Sequence, residues 1–286
     1  MYVNGKLLTA GEKTRLHSEP FGVRTYVPEK CSPGYTLFSP AWGDQEYLID
    51  MRGLVVHTWR VTHSNVAELL PNGNLFTQNC GSWLEELTPD SETVWRWEGD
   101  ASLAAPNHHD FWVGSIGGEE VVVSLAARNE PVRPGVYEPG TEPDYMRTDL
   151  ILVLNRDKEL LYEFSFGEHV ERLCELSGYP MPIPYRRQAE DGTFAPYGPS
   201  DWAHANTIEV LPPTPLGERD SRFKAGNLLF SLRHMDVIGI VDPDVDAQPS
   251  GALPLSSYGK YQRFFPRRRR NVAVPPFMVP GPRAPR

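Results

Sequence analysis

The chain is poor in cysteine, has no long apolar run and carries no nucleotide-binding signature, and each absence removes a class of protein. Cys31, Cys80 and Cys174 stand far apart in 286 residues. An odd, sparse set does not make a disulfide framework, and there is no CxxC pair to hold a metal. No stretch approaches the roughly 18 apolar residues of a membrane helix, so no membrane role is expected. Walker, GxSxG, Rossmann and HExxH patterns are all missing, and no cofactor or metal is expected. The start, Met1-Tyr2-Val3-Asn4-Gly5-Lys6, lacks a basic segment followed by an apolar core, so the chain as written is expected to stay in the cytoplasm.

Basic residues are scarce over most of the chain. Eight of the 28 Lys and Arg residues lie between Lys260 and Arg286, a stretch without a single acid. The preceding part carries twenty basic against 37 acidic residues, a net −17. An acidic body does not attract nucleic acid by its general field. Nucleic acid is therefore not an expected partner, although the tail alone could touch phosphates.

What is present is turn chemistry between short apolar runs. The 28 prolines and 24 glycines are scattered rather than periodic, which suits many short strands. Pro71-Asn72-Gly73-Asn74 is a tight-turn signal, because Asn and Gly tolerate positive φ. It joins Ala67–Leu70 to Leu75–Gln78. Trp83–Leu87, a turn at Thr88–Glu92 and Thr93–Trp97 complete four strands in about thirty residues. Similar units are read over 35–59, 111–164 and 207–241. Three of their strands end in Asp50, Asn155 and Asp242.

Such repetition predicts an all-β chain of propeller blades. Residues 31–246 form the blades, with loop insertions at 127–148 and 167–200. Glu168 to Leu176 is read as one short helix. Residues 1–30 form an N-terminal extension, and 247–286 a basic, Pro-rich, disordered tail. Four blades leave open sheet edges, which a homo-oligomer would cover.

Histidine motifs open or close these units: Asn107-His108-His109-Asp110, Asp201-Trp202-Ala203-His204-Ala205-Asn206, and Arg233-His234 after Leu228–Leu232. Equivalent positions of repeated units can point to one axis, where imidazoles and a guanidinium would suit an anion. Strand alternation places His108 and His109 on opposite faces, so only one of them should reach that axis. It also turns Asp110 away from His109, and it puts His204 and Asn206 on one face. The bland readings are strand-entry histidines satisfied by the core, a turn role for Asn206, and an Arg233 salt bridge to Asp236 or Asp242. A metal held by His108, His109 and His204 would lack carboxylate and thiolate ligands at good spacing.

Gly34–Pro40, Tyr47–Asp50, Val55–Trp59 and Leu70–Leu75 resemble the bacterial arylsulfate sulfotransferase family. So do His108-His109-Asp110, His204-Ala205-Asn206 and Ser231-Leu232-Arg233. The resemblance covers roughly residues 30–246. It implies a six-bladed propeller, with about four blades in this chain, and an active site in the central channel. It also implies sulfuryl transfer from a phenolic sulfate donor to a phenol acceptor through a sulfohistidine, without a nucleotide donor. His109, or else His108, would hold the sulfuryl oxygens with His204 and Arg233, and Asn206 would steady the site. The family's nucleophilic histidine belongs to a later His-Asp motif, and no histidine follows His234 here. By that pattern the chain is truncated at its C-terminal end. The family is commonly exported. The rival expectation is a non-catalytic propeller that binds a peptide, glycan or small anion through its loop insertions.

Overall fold

The computed structural model describes residues 26–64, 66–183 and 200–246, together with two short strands near the start, β1 (Tyr2–Val3) and β2 (Lys6–Leu7). The expected tail at 247–286, most of the extension at 1–30 and residues 184–199 of the second insertion lie outside the described residues.

Four antiparallel sheets follow in chain order, and the fold is all-β. The first holds β3 (Thr36–Phe38), β4 (Gly43–Ile49) and β5 (Val55–Ser64). The second holds β6 (Ala67–Leu69), β7 (Leu75–Asn79), β8 (Trp83–Leu87) and β9 (Thr93–Trp97). The third holds β10 (Phe111–Ile116), β11 (Glu119–Glu130), β12 (Met146–Asn155) and β13 (Leu160–Ser165). The fourth holds β14 (Ala205–Val210), β15 (Leu228–Leu232) and β16 (Val237–Val241). In every sheet each strand pairs with its sequence neighbour, so each sheet is a simple meander. Helix α1 (Val170–Ser177) follows a 3-10 turn at Phe166–His169, close to the expected position.

The turns recur as the apolar pattern implies. Asp50–Leu54, Thr88–Glu92 and Asn155–Glu159 close by the same two backbone bonds. The first residue's N–H reaches the fifth carbonyl, and the fourth N–H reaches the first carbonyl. The fourth residue is left-handed in each: Gly53 (φ 80°), Ser91 (φ 67°) and Lys158 (φ 70°). In each the first side chain, Asp50, Thr88 or Asn155, accepts the fifth residue's N–H. This is why those strands end in short polar residues. Gly117 and Gly118 make the two-residue turn of the β10–β11 hairpin, both with positive φ, as its strand twist requires.

The sheets pack face to face in chain order. Trp59 and Val61 of the first meet Leu75 and Leu87 of the second. Phe76, Leu84 and Trp95 of the second meet Phe111 and Val122 of the third. The largest cluster joins the third and fourth sheets and α1, through Val123, Leu125, Ile151, Phe164, Leu173, Ile208 and Phe230. Alternate residues of β11 and β12 serve opposite sides: Val123, Leu125, Ile151 and Val153 face the fourth sheet, whereas Val122, Leu150 and Leu152 belong to other clusters. A strand buried on both faces reads as a continuous apolar run, and Val121–Leu125 and Leu150–Leu154 do so. Each such side chain contributes about 1.5–3 kcal/mol on burial.

Hairpin tips tie each sheet to its predecessor. His57 Nε2 lies 2.8 Å from the Pro89 carbonyl, and the Arg60 N–H donates to Ser91 Oγ at 2.9 Å. One sheet later, Trp95 Nε1 donates to the Arg156 carbonyl at 2.8 Å, and Arg156 pairs with Glu86. The expected insertion at 127–148 is shorter than the sequence suggests, because β11 runs to Glu130 and β12 starts at Met146. Buried Ala126, Ala127, Met146 and Thr148 draw the chain into the ladder.

Candidate functional site

All four sheets send residues to one cavity of about 300 Å³, lined by Trp42, Cys80, His108, His109, Tyr145, Arg147, Asp149, Ser200, Asp201 and His204. Trp42 precedes β4, Cys80 follows β7, Arg147 and Asp149 lie on β12, and His204 precedes β14.

At its centre is a chain of three side chains. Asp201 Oδ2 lies 2.7 Å from His204 Nδ1, and His204 Nε2 lies 2.9 Å from His109 Nε2. The carboxylate assigns the tautomers. Asp201 accepts a proton from His204 Nδ1, so neutral His204 presents a lone pair at Nε2. His109 must then donate from its own Nε2, which leaves the lone pair of His109 on Nδ1. Among the described residues nothing hydrogen-bonds that Nδ1.

Burial sets the protonation of this chain. Desolvation, then the neighbouring His108 and His204, push His109 down to about 4, so it is neutral at ordinary pH. Burial alone would raise Asp201. The hydrogen bond from His204 outweighs it, helped by the charges of His204, His234 and Arg147, and the carboxyl sits below its ordinary value. Desolvation raises the Cys80 thiol and keeps it from being a ready nucleophile.

His108 has a different task. Its Nε2 lies 3.0 Å from the Ala126 carbonyl and 3.3 Å from Asp149 Oδ1. Asp149 Oδ2 also accepts the Ala205 N–H at 2.7 Å. His108 and Asp149 thereby fix the loop before β10 against the start of β14. Asp110 accepts the Ile208 N–H at 3.0 Å and does the same. Burial raises its carboxyl, a shift that the Ile208 and Phe111 N–H groups oppose. No hydrogen bond joins Asp110 to His109.

The expectation that only one of His108 and His109 reaches the centre is corrected, because both line the cavity. His109 is left-handed (φ 59°), not extended, so strand alternation does not apply to it. The expected shared face of His204 and Asn206 fails for a like reason. His204 is left-handed (φ 53°), and the β14–β15 register shifts between Ala205 and Thr207. A bulge there breaks the two-residue period. Asn206 is partly buried and lies outside the cavity lining. Arg233 is exposed and also outside it, its N–H bonded to the His204 carbonyl.

Arg147 is the cation that lines the cavity among the described residues. None of the described carboxylates pairs with it. Sequence reasoning missed it because it falls inside the stretch assigned to a loop. Asp201 was visible three residues before His204, but its spacing was not used. Trp42, Tyr145, Cys80 and Asp149 carried no signal that distinguishes them from packing residues.

Asp201, His204 and His234 offer three donor atoms within 4.8 Å of one another, enough to receive a cation. Ligands around a tetrahedral zinc with bonds of about 2 Å stand about 3.3 Å apart. The 2.7 Å between Asp201 and His204 is instead a hydrogen-bond distance. The rings of His204 and His234 are stacked, with centroids 4.7 Å apart, an arrangement that does not converge lone pairs on one ion. No helix among the described residues is long and apolar enough to cross a membrane. No protein-family model and no curated protein matches the chain.

Proposed function

We propose that this chain is a propeller-type protein of the arylsulfate sulfotransferase kind, which moves a sulfuryl group between phenols through His109. The observation that carries the reading is the Asp201–His204–His109 chain, which ends in a lone pair on a neutral imidazole beside Arg147. The ring-like architecture is supported by four meander sheets stacked in order, with one shared cavity.

In the forward step His109 Nδ1 attacks the sulfur of a phenolic sulfate. The N–S bond forms as the bond from sulfur to the phenol oxygen breaks, and the phenolate leaves with the electron pair. The positive charge gathering on His109 is relieved when its Nε2 proton passes to His204 Nε2. Asp201 stabilises the resulting imidazolium. Arg147 neutralises charge on the transferring oxygens, the role for which a guanidinium suits an oxyanion. In the return step an acceptor phenolate attacks sulfur, the N–S bond breaks and the proton returns to His109. The nucleophile in this scheme is His109, not the later histidine that the family resemblance calls for.

Intact-protein mass spectrometry after mixing with a chromogenic aryl sulfate tests the reading. The expected result is an increase of one sulfuryl mass, mapped to His109, with matching phenolate release. His109→Asn abolishes both. Asp201→Asn reverses the hydrogen bond to His204 and costs about 10³–10⁴-fold in turnover. Absence of both adduct and release from a folded sample would overturn transfer. Saturable sulfate binding in that sample would identify an anion-binding module instead.

A further inference from the structure

We propose that Trp42 and Tyr145 form an aromatic rim on this cavity, and that the rim holds the ring of an aryl ligand. The inference deepens the reading above and rests on its assignment of the cavity as a ligand site.

The cavity is chemically two-sided. His108, His204, Asp149 and Asp201 are all buried, whereas Trp42 is 63% and Tyr145 43% exposed. Both aromatic residues still line the same space. Large aromatic side chains left this open stabilise the fold little by burial. They offer flat faces to a ring, with the anion-binding groups within the same cavity.

The backbone at Trp42 points the same way. Pro40-Ala41-Trp42-Gly43 is a tight turn, closed by the Gly43 N–H on the Pro40 carbonyl at 2.8 Å. Trp42 occupies its third position with φ 61°, a place that favours Gly or Asn. Gly43 is required beside it, because a Cβ there would stand 2.8 Å from the Pro40 carbonyl oxygen. The chain thus spends its glycine at the crowded position and holds an indole in a strained one. Seven non-glycine residues among those described are left-handed: Trp42, His63, Ser91, His109, Lys158, His204 and Asp236. Three of the seven, Trp42, His109 and His204, line this cavity. Local strain persists where the surrounding structure uses it, and here it gathers around one space.

A ring held by Trp42 and Tyr145 would leave a charged substituent free to meet Arg147 and His109. The rim therefore selects aryl over alkyl anions and accepts phenols whether or not they carry sulfate.

Binding of phenyl sulfate, hexyl sulfate, inorganic sulfate and phenol to the full chain, measured by calorimetry, tests this. Wild type should favour phenyl over hexyl sulfate, and Trp42→Ala should weaken phenyl sulfate and phenol about ten-fold while leaving inorganic sulfate unchanged. Trp42→Phe should restore most of the loss. Trp42→Gly should lose aryl affinity and melt at a higher temperature, since it relieves the turn. A fall in melting temperature with the affinity would make Trp42 a packing residue and overturn the rim. An unchanged phenyl-to-hexyl ratio in Trp42→Ala, or no binding of any aromatic probe to wild type, would overturn it too. Phenol binding that depends on Trp42, with neither sulfate binding nor a sulfuryl adduct, would uphold the rim and sink sulfuryl transfer.

Discussion

His109 and His204 meet only because each leaves the extended backbone of the strand it precedes. That departure brings two imidazoles to 2.9 Å and lets one carboxylate set both tautomers. The arrangement predicts an unusual acid limb. His109 is held down to about 4 by desolvation and by its two histidine neighbours. Its neutral form is the nucleophile, so transfer should persist as pH falls and be lost only as it passes through about 4. An ordinary imidazole would fail near 6.5. Asp201 stays charged through this window, because its carboxyl lies below the usual value. The stability consequence has the same sign. The unfolded chain takes up the His109 proton near 6.5 and the folded chain resists until about 4. This group's contribution is therefore full above 6.5 and declines between the two values. Chromatographic product yield and melting temperature, followed from pH 7 to pH 3.5, check both. A limb centred near 6.5 would show that His109 is not the reacting group. The two histidines were legible in the sequence because each sits in a compact motif beside a strand. Arg147 and Tyr145 were not, because the end of a long insertion gives no sign that its last residues have joined a buried strand.

At the scale of elements, most of the sheet structure was readable because turn chemistry and alternation agree. The strands at 83–87, 93–97 and 237–241 fall where their apolar runs do, bounded by Thr, Pro, Asp and Gly. What misled was length: nothing in Ala126-Ala127-Arg128-Asn129-Glu130 looks like strand until β12 is placed beside it. Bulges were equally hidden, since the shift in β14 arises from tertiary fit rather than from any residue preference. The three equivalent hairpins give a direct test of local energetics. The same left-handed position holds Gly53, Ser91 and Lys158. Lysine pays for that conformation through its Cβ, and glycine does not. Lys158→Gly should therefore stabilise the protein by about 1 kcal/mol, whereas Gly53→Lys should destabilise it by a like amount. Urea unfolding of the two variants checks the pair. A loss of stability in Lys158→Gly would mean that the lysine side chain has a role which the turn geometry does not reveal.

For the whole molecule, the order of sheet packing sets where the protein is firm. The third sheet lies between the second and fourth, and β11 and β12 are buried from Val121 to Ala127 and from Thr148 to Val153. The first sheet has a neighbour on one side only, and Leu54, Val55 and Val56 remain 48–59% exposed. Hydrogen bonds buried on both faces open only with the fold, whereas those at an uncovered sheet open locally. Amide hydrogen exchange should therefore be slowest in β11 and β12, and several orders of magnitude faster in β3 and β5. The exposed valines of β5 also predict self-association as protein concentration rises, because an uncovered apolar strand is a template for another chain. The two effects are linked: if a second copy covers the first sheet, exchange in β5 should slow with concentration while exchange in β11 stays constant. Exchange run at two concentrations, beside light scattering, separates the cases. Slow exchange in β5 at both concentrations, from a particle of one chain's mass, would show that the first sheet is covered from within the chain.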